Sequence, residues 1–304
     1  MQNSILELEK CMETNIKEKL SECYKMKEKL TLNMQLYYDK AKDERDKEEY
    51  YKTIQKRQTS GEKLFSAYHK LITTTHKNKI PYFLSKDHYL YTWVDLRPDG
   101  TVKSIYSGKQ KDPQTLILED FEIIKKRHEK FQALLSHPNL FEVEKKMINI
   151  ETDFKFNTEH IVPQSWYNAR EPMKGDLHHL FVCQPECNKT RANFPYDDFS
   201  FYVPESPNEK IRNQCGVASD GKFEPEYGKG AVARSMLYFL LRYPNAIKRS
   251  FKKKIDIRLL LYWNREFTVS LHEKHRNQAI YQIQGNRNPF IDYPELAEKI
   301  RFPL

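Results

Sequence analysis

Four residues in one stretch have the types and spacing to do chemistry together. The stretch, 156–195, reads FNTEHIVPQSWYNAREPMKGDLHHLFVCQPECNKTRANFP. Glu159 and Asn188 offer oxygen ligands, which suit a hard cation such as Mg²⁺. His160 is a base whose ordinary pKa of about 6.5 leaves it neutral near pH 7. Arg191 carries a guanidinium able to hold a phosphate. A hard cation, a neutral imidazole and an arginine form the inventory of metal-assisted phosphodiester hydrolysis. The Glu-His pair alone carries little weight, because such pairs are common on protein surfaces.

Three elements must bring these side chains together. FNTEHIV alternates apolar and polar residues, as a half-buried strand does. After a loop containing Pro, Asn and Gly, DLHHLFV reads as a second short strand. Pro185 then opens a polar helix, PECNKTRAN, since proline suits the first helical turn. Adjacent residues on a continuing strand face opposite ways, so Glu159 and His160 share a site only where the strand ends. Asn188 and Arg191 lie three apart, on one helix face.

The segments TEHIVPQSW, GDLHHLF and CNKTRANFP resemble the bacterial endonuclease I family. The likeness continues through GAVARSMLYFLLRYP, Trp263 and HEKHRNQAIYQIQGNRNPFIDYPEL, and covers about 90–300 of the chain. That resemblance implies an α+β fold with a ββα-metal (His-Me finger) core and many surrounding helices. It implies His160 as general base, with Glu159 and Asn188 as the metal's protein ligands and waters and the scissile phosphate at its other positions. Mg²⁺ is the expected ion, with Mn²⁺ or Ca²⁺ as substitutes. The implied activity cuts DNA and RNA with little sequence preference and leaves 5′-phosphate ends. His179 stands where related nucleases often place an Asn or His beside the base, to orient it or brace the loop; a core histidine is the competing reading. His178 reads as structural. In QGNRNPFID, Arg287 is either part of a clasp or a phosphate contact. Ala231 and Tyr293 stand where relatives commonly carry Asp and His, and we read both as changes in support or substrate contact.

Whole-chain properties set the frame. With 51 Lys and Arg against 42 Asp and Glu, the net charge is +9, which favours polyanions. The run Lys248, Arg249, Lys252, Lys253 and Lys254 would be a solvated face in many proteins; beside a nuclease centre it reads as backbone-phosphate contact. No apolar run reaches the roughly 18 residues a membrane span needs. The N-terminus, MQNSILELEKCMETN, has acids where a signal peptide needs a basic start, so the expectation is a cytoplasmic chain although many family relatives are exported. Five cysteines, an odd number, suggest reduced thiols. Structural zinc on Cys183 and Cys187 is not favoured, because such sites want two pairs or added histidines.

Two domains are expected: a helical extension over 1–85 and the nuclease domain over 86–304. An apolar stripe at Ile5, Leu8, Met12, Ile16, Leu20, Cys23 and Leu30 marks an amphipathic first helix. It reads either as part of a solvated helical appendage or, since such a stripe needs burying against something, as a homo-oligomer or protein-partner surface over residues 1–60. Further helices are expected near 32–58 and 62–75. YLYTWVDL and TVKSIYSG read as a hairpin on a Pro-Asp-Gly turn. LEDFEIIKKRHEKFQALLSH, AVARSMLYFLLRYP, DIRLLLYWNREF and LHEKHRNQAIYQIQ read as helices, with a long irregular stretch over 195–228. Two other functions compete with this one. An inactive nucleic-acid-binding module should have lost Glu159, His160 or Asn188, and all three are present. A helical scaffold or defence effector with the nuclease as its output would change the biology and leave the chemistry.

Overall fold

A computed structural model describes residues 16–30, 36–54, 61–135, 156–202, 204, 212 and 214–303. Of the first helix expected over 3–30, residues 16–30 are helical, while 3–15 and the lead-in over 140–155 lie outside the described residues. The fold is mixed helix and sheet. Among the described residues the strands form three two-stranded antiparallel hairpins: Val102–Lys103 with Gln110–Lys111, Thr158–His160 with Leu180–Val182, and Gly216–Ser219 with Lys222–Pro225.

The helix Lys229–Arg242 is the centre of the packing. Its sequence is apolar nearly all round, and nearly every residue of it is buried, as an enclosed helix requires. The helices Ile257–Glu266 and Gly61–Thr75 and the turn Leu177–His179 pack against it. The helix Leu271–Gln284 starts on a capping box of Ser270 and Glu273 and stops at Gly285, whose φ of 90° suits glycine.

The central hairpin pairs Thr158 with Val182, Glu159 with Phe181 and His160 with Leu180. DLHHLFV is only half a strand. Asp176 accepts from the backbone of His178 and caps a one-turn 3-10 helix, Leu177–His179, so pairing begins at Leu180. Asp176 is buried and anchors this turn: it also accepts from Tyr238 at 2.8 Å, Tyr243 at 2.9 Å and Gln284 at 3.1 Å.

YLYTWVDL is helical, against expectation. It belongs to a wide-wound helix, Ser85–Val94, that follows the short turn Tyr82–Leu84. Leu90, Tyr91 and Val94 are wholly buried on one side of it. Packing has outweighed the strand preference of its aromatic and β-branched residues. Asp95, just past its end, accepts from the backbone of Val182 at 2.6 Å and ties this helix to the central hairpin. The hairpin expected here lies further on, at 102–111.

The 195–228 stretch contains an ordered hairpin, turned by Asp220 and Gly221 at φ values of 50° and 71°. The cysteines also differ from expectation. Cys187 and Cys215 form a disulfide, while Cys23 and Cys183 are buried thiols outside any disulfide. The pairing joins residues 28 apart, a proximity that no local pattern encodes.

The N-terminal helices are packed into the rest. Cys23 and Leu30 of the first stripe are buried in a core with Leu90, Tyr91 and Val102, so part of that stripe is covered by its own chain. Tyr51, Tyr68 and Ile72 share the main core with Trp166 and the Lys229–Arg242 helix. Tyr51 donates to Asp292 at 2.8 Å, and Arg287 pairs with Asp43 at 2.8 Å. A boundary at residue 85 would cut this core. We therefore propose that the helices up to 85 belong to one folding unit with the rest. No helix among the described residues is long and apolar enough to cross a membrane.

Candidate active site

The end of the Thr158–His160 strand opens into a cleft of about 610 Å³, lined by Glu159, His160, Asn188 and Arg191 together with Tyr82, Gln164 and Lys174. Glu159 and His160 both reach it because pairing stops at His160 and the chain turns away through Pro163 into the short helix Gln164–Tyr167. Asn188 enters from the helix Pro185–Arg191, which Pro185 begins and the Cys187–Cys215 bond holds to the neighbouring hairpin.

Two contacts define the state of His160. Its Nε2 lies 2.8 Å from the Lys174 carbonyl oxygen. A carbonyl only accepts, so Nε2 carries the proton. Gln164 Nε2 lies 3.2 Å from His160 Nδ1. Nδ1 is then the acceptor and carries no proton, so it can act as a base once the Gln164 amide gives way to water. Burial pushes the imidazole well below its ordinary pKa, and neighbouring His179 adds to the shift, against the bond to Lys174. The ring is neutral near pH 7.

Glu159 Oε1 accepts from Tyr106 at 2.8 Å and lies 3.5 Å from Arg191 Nε. Asn188 donates its amide to the Thr158 carbonyl at 2.6 Å, which leaves Oδ1 as its ligating atom. A carboxylate and an amide oxygen lining one cleft are the hard donors Mg²⁺ takes, and the residues present fit such an ion. Among the described residues no group of three or more His, Cys, Asp or Glu side chains is placed to hold a metal. Cys187 is committed to its disulfide, which removes it from any thiolate pair with Cys183.

Arg191 departs from expectation. Its side chain is fully buried. Nη2 donates to the Ile161 carbonyl at 2.7 Å and Nη1 to that of Ala192 at 3.3 Å. With Nε beside Glu159, it braces the carboxylate and the turn after the strand; it is not displayed as a phosphate clamp. His179 lies beside His160, with ring centroids 5.5 Å apart, and donates from Nε2 to the Met173 carbonyl at 2.6 Å. Met173 and Lys174 thus hold the two imidazoles through adjacent carbonyls. His179 Nδ1 has no hydrogen-bond partner among the described residues. His178 bonds the Asn286 carbonyl at 3.1 Å and packs on Tyr238, a structural position.

The basic run is mounted beside this site. Lys248 donates its backbone N–H to Trp166 at 2.9 Å, and Phe251 stacks on Trp166 at 5.3 Å. Trp166 belongs to the short helix that follows His160. Lys248, Arg249, Lys253 and Lys254 are exposed, and Lys252 is half-buried with its amine on the Pro244 carbonyl. Arg287 does not join them. It is fully buried and pairs with Asp43 and Asp292, so it is a clasp and not a phosphate contact.

Sequence reading missed Gln164, Tyr82, Tyr106 and the Lys174 carbonyl. Gln164 had a signal, because it lies one helical turn after His160 inside TEHIVPQSW. Tyr106 and Tyr82 arrive from 53 and 76 residues before their partners Glu159 and Thr158, and nothing local announces them.

A family model described as Endonuclease I matches residues 29–295. The chain is 33% identical over 165 residues to an extracellular ribonuclease of Bacillus amyloliquefaciens, covering 48% of this chain and 53% of that protein. It is 34% identical over 129 residues to Endonuclease-1 of Buchnera aphidicola subsp. Baizongia pistaciae, covering 41% and 49%. It is 32% identical over 125 residues to an extracellular deoxyribonuclease of Aeromonas hydrophila, covering 40% and 50%. The chain spans about half the length of these curated relatives.

Proposed function

The chain belongs to the endonuclease I family, and from that premise we propose that it is a Mg²⁺-dependent endonuclease. It hydrolyses phosphodiester bonds of DNA and RNA with little sequence preference. The observation that carries this reading is one cleft holding the unprotonated Nδ1 of His160 beside the Glu159 and Asn188 oxygens. The relatives named ribonuclease and deoxyribonuclease support both substrates. The hairpin, its loop and the Pro185–Arg191 helix have the order of a ββα-metal unit, and we read them as that unit.

In the proposed reaction, His160 Nδ1 takes a proton from the attacking water as its oxygen bonds to phosphorus. The P–O3′ bond breaks and O3′ takes a proton from solvent water, leaving 5′-phosphate and 3′-hydroxyl ends. As the imidazole gains charge, the Lys174 carbonyl on Nε2 steadies it. Glu159 and Asn188 would hold the ion, with Tyr106 and Arg191 fixing the carboxylate. When bound, the ion supplies positive charge at the scissile phosphate and the leaving oxygen. Lys248, Arg249, Lys252, Lys253 and Lys254 contact backbone phosphates, which is binding without base readout.

The cytoplasmic expectation is replaced by an exported one. Relatives are named extracellular or periplasmic, and the Cys187–Cys215 disulfide belongs in an oxidising compartment.

The test is nicking of supercoiled plasmid DNA. Open-circle product is expected with millimolar Mg²⁺ and none in excess EDTA. Equal nicking in EDTA would overturn the metal-dependent reading.

A further inference from the structure

Tyr82 lines the catalytic cleft, packs on His160 at 4.9 Å between ring centroids and bonds Thr158 at 2.7 Å. The next residue, Phe83, is 60% exposed. Of the large apolar side chains left exposed among the described residues, it alone is next in sequence to a cleft-lining residue. An exposed phenylalanine is ordinarily unremarked; one residue from the wall of a polyanion site, it has a use.

The lip that carries Phe83 is stiff and basic. The Tyr82 backbone N–H donates to Glu171 at 2.9 Å, and Ser85 donates to the Gly175 carbonyl at 2.6 Å. Gly175 sits so close to Ile80 and Pro81 that a Cβ there would run into the Ile80 carbonyl. Lys77 is tied through its backbone to the Gln284 carbonyl at 3.1 Å. Lys77 and Lys79 are exposed on the same segment, and the Lys174 amine lies 5.2 Å from the Tyr82 ring centroid. An exposed aromatic ring on a braced backbone segment that also carries lysines suits unpaired bases, since every base has a face to stack and each nucleotide brings a phosphate. A base stacked within a closed duplex offers no face to such a ring.

We propose that Phe83 is a stacking platform for an unpaired nucleobase beside the scissile phosphate, so that the cleft favours single-stranded nucleic acid over closed duplex. This deepens the nuclease reading and rests on it. Lys77 and Lys79 hold the flanking phosphates, and because stacking is base-tolerant the platform adds strand preference without sequence preference.

The test compares full-length chains in excess EDTA, which blocks cleavage in the proposed scheme. The probes are a fluorescent single-stranded deoxyoligonucleotide and the same sequence annealed to its complement. Phe83→Ala should lower the ratio of single-strand to duplex affinity about tenfold. Phe83→Trp should keep the ratio, and its emission should be quenched by the single strand more than by the duplex. Thermal melting of each variant checks the fold, which an exposed side chain should not disturb. An unchanged ratio in Phe83→Ala would overturn the platform while plasmid nicking by the parent keeps the nuclease reading. A parent that neither binds these probes nor nicks plasmid would overturn both.

Discussion

Replacing His160 with alanine is expected to lower single-turnover cleavage by about 10²–10⁴-fold, the usual contribution of a positioned general base. Nucleic-acid affinity should stay close to that of the parent, because the phosphate contacts proposed for the lysine run need no imidazole. The size of the effect follows from the geometry. With Nε2 committed to the Lys174 carbonyl at 2.8 Å, Nδ1 is the atom on that ring able to take a proton. Burial keeps the ring uncharged near neutrality, so the base is ready at working pH. Added imidazole is expected to restore part of the rate to His160→Gly, because the lost group is a proton acceptor and not a ligand. Wild-type turnover in His160→Ala would make the assigned base wrong and His179 the next residue to test.

Replacing Arg287 with alanine should cost about 3–5 kcal/mol of stability, read as a lower urea midpoint, because it strands buried charge. Arg287 Nε and Nη2 grip Asp292 at 2.8 and 2.7 Å, and Nη2 also reaches Asp43 at 2.8 Å. Asp43 lies in the helix Lys40–Tyr51, so this one side chain fastens the N-terminal helices to the GNRNPF turn. Loss of the guanidinium leaves two carboxylates buried without their cation, a larger penalty than the lost attraction alone. An unchanged urea midpoint together with weaker nucleic-acid binding would return Arg287 to the phosphate-contact role.

How much of this was legible beforehand depended on the range of the interaction. Glu159, His160 and Asn188 were legible because TEHIVPQSW and CNKTRANFP each place their residues within a few positions. The helix Lys229–Arg242 was legible from its apolar run. YLYTWVDL was not, because Leu90, Tyr91 and Val94 are buried in a shared core with Leu177, Leu180 and Val182, and that environment is set by chain far away. Arg191 was misread for a related reason. Its type and spacing suit a phosphate, but the Ile161 carbonyl that claims it lies thirty residues back. The Cys187–Cys215 bond likewise depends on a hairpin that returns to the site helix.

The central claim is that Glu159 and Asn188 hold the ion while His160 moves the proton. The most direct test is plasmid nicking by Asn188→Ala and His160→Ala across a Mg²⁺ titration from micromolar to tens of millimolar. Mg²⁺ is held weakly by few protein ligands, so removing one should shift the metal requirement. Asn188→Ala is expected to be nearly inactive at low Mg²⁺ and to recover part of the parent rate at high Mg²⁺, while His160→Ala stays slow at every concentration. If Asn188→Ala shows the parent's Mg²⁺ midpoint, or His160→Ala is the variant that Mg²⁺ rescues, the assignment of ligand and base is contradicted.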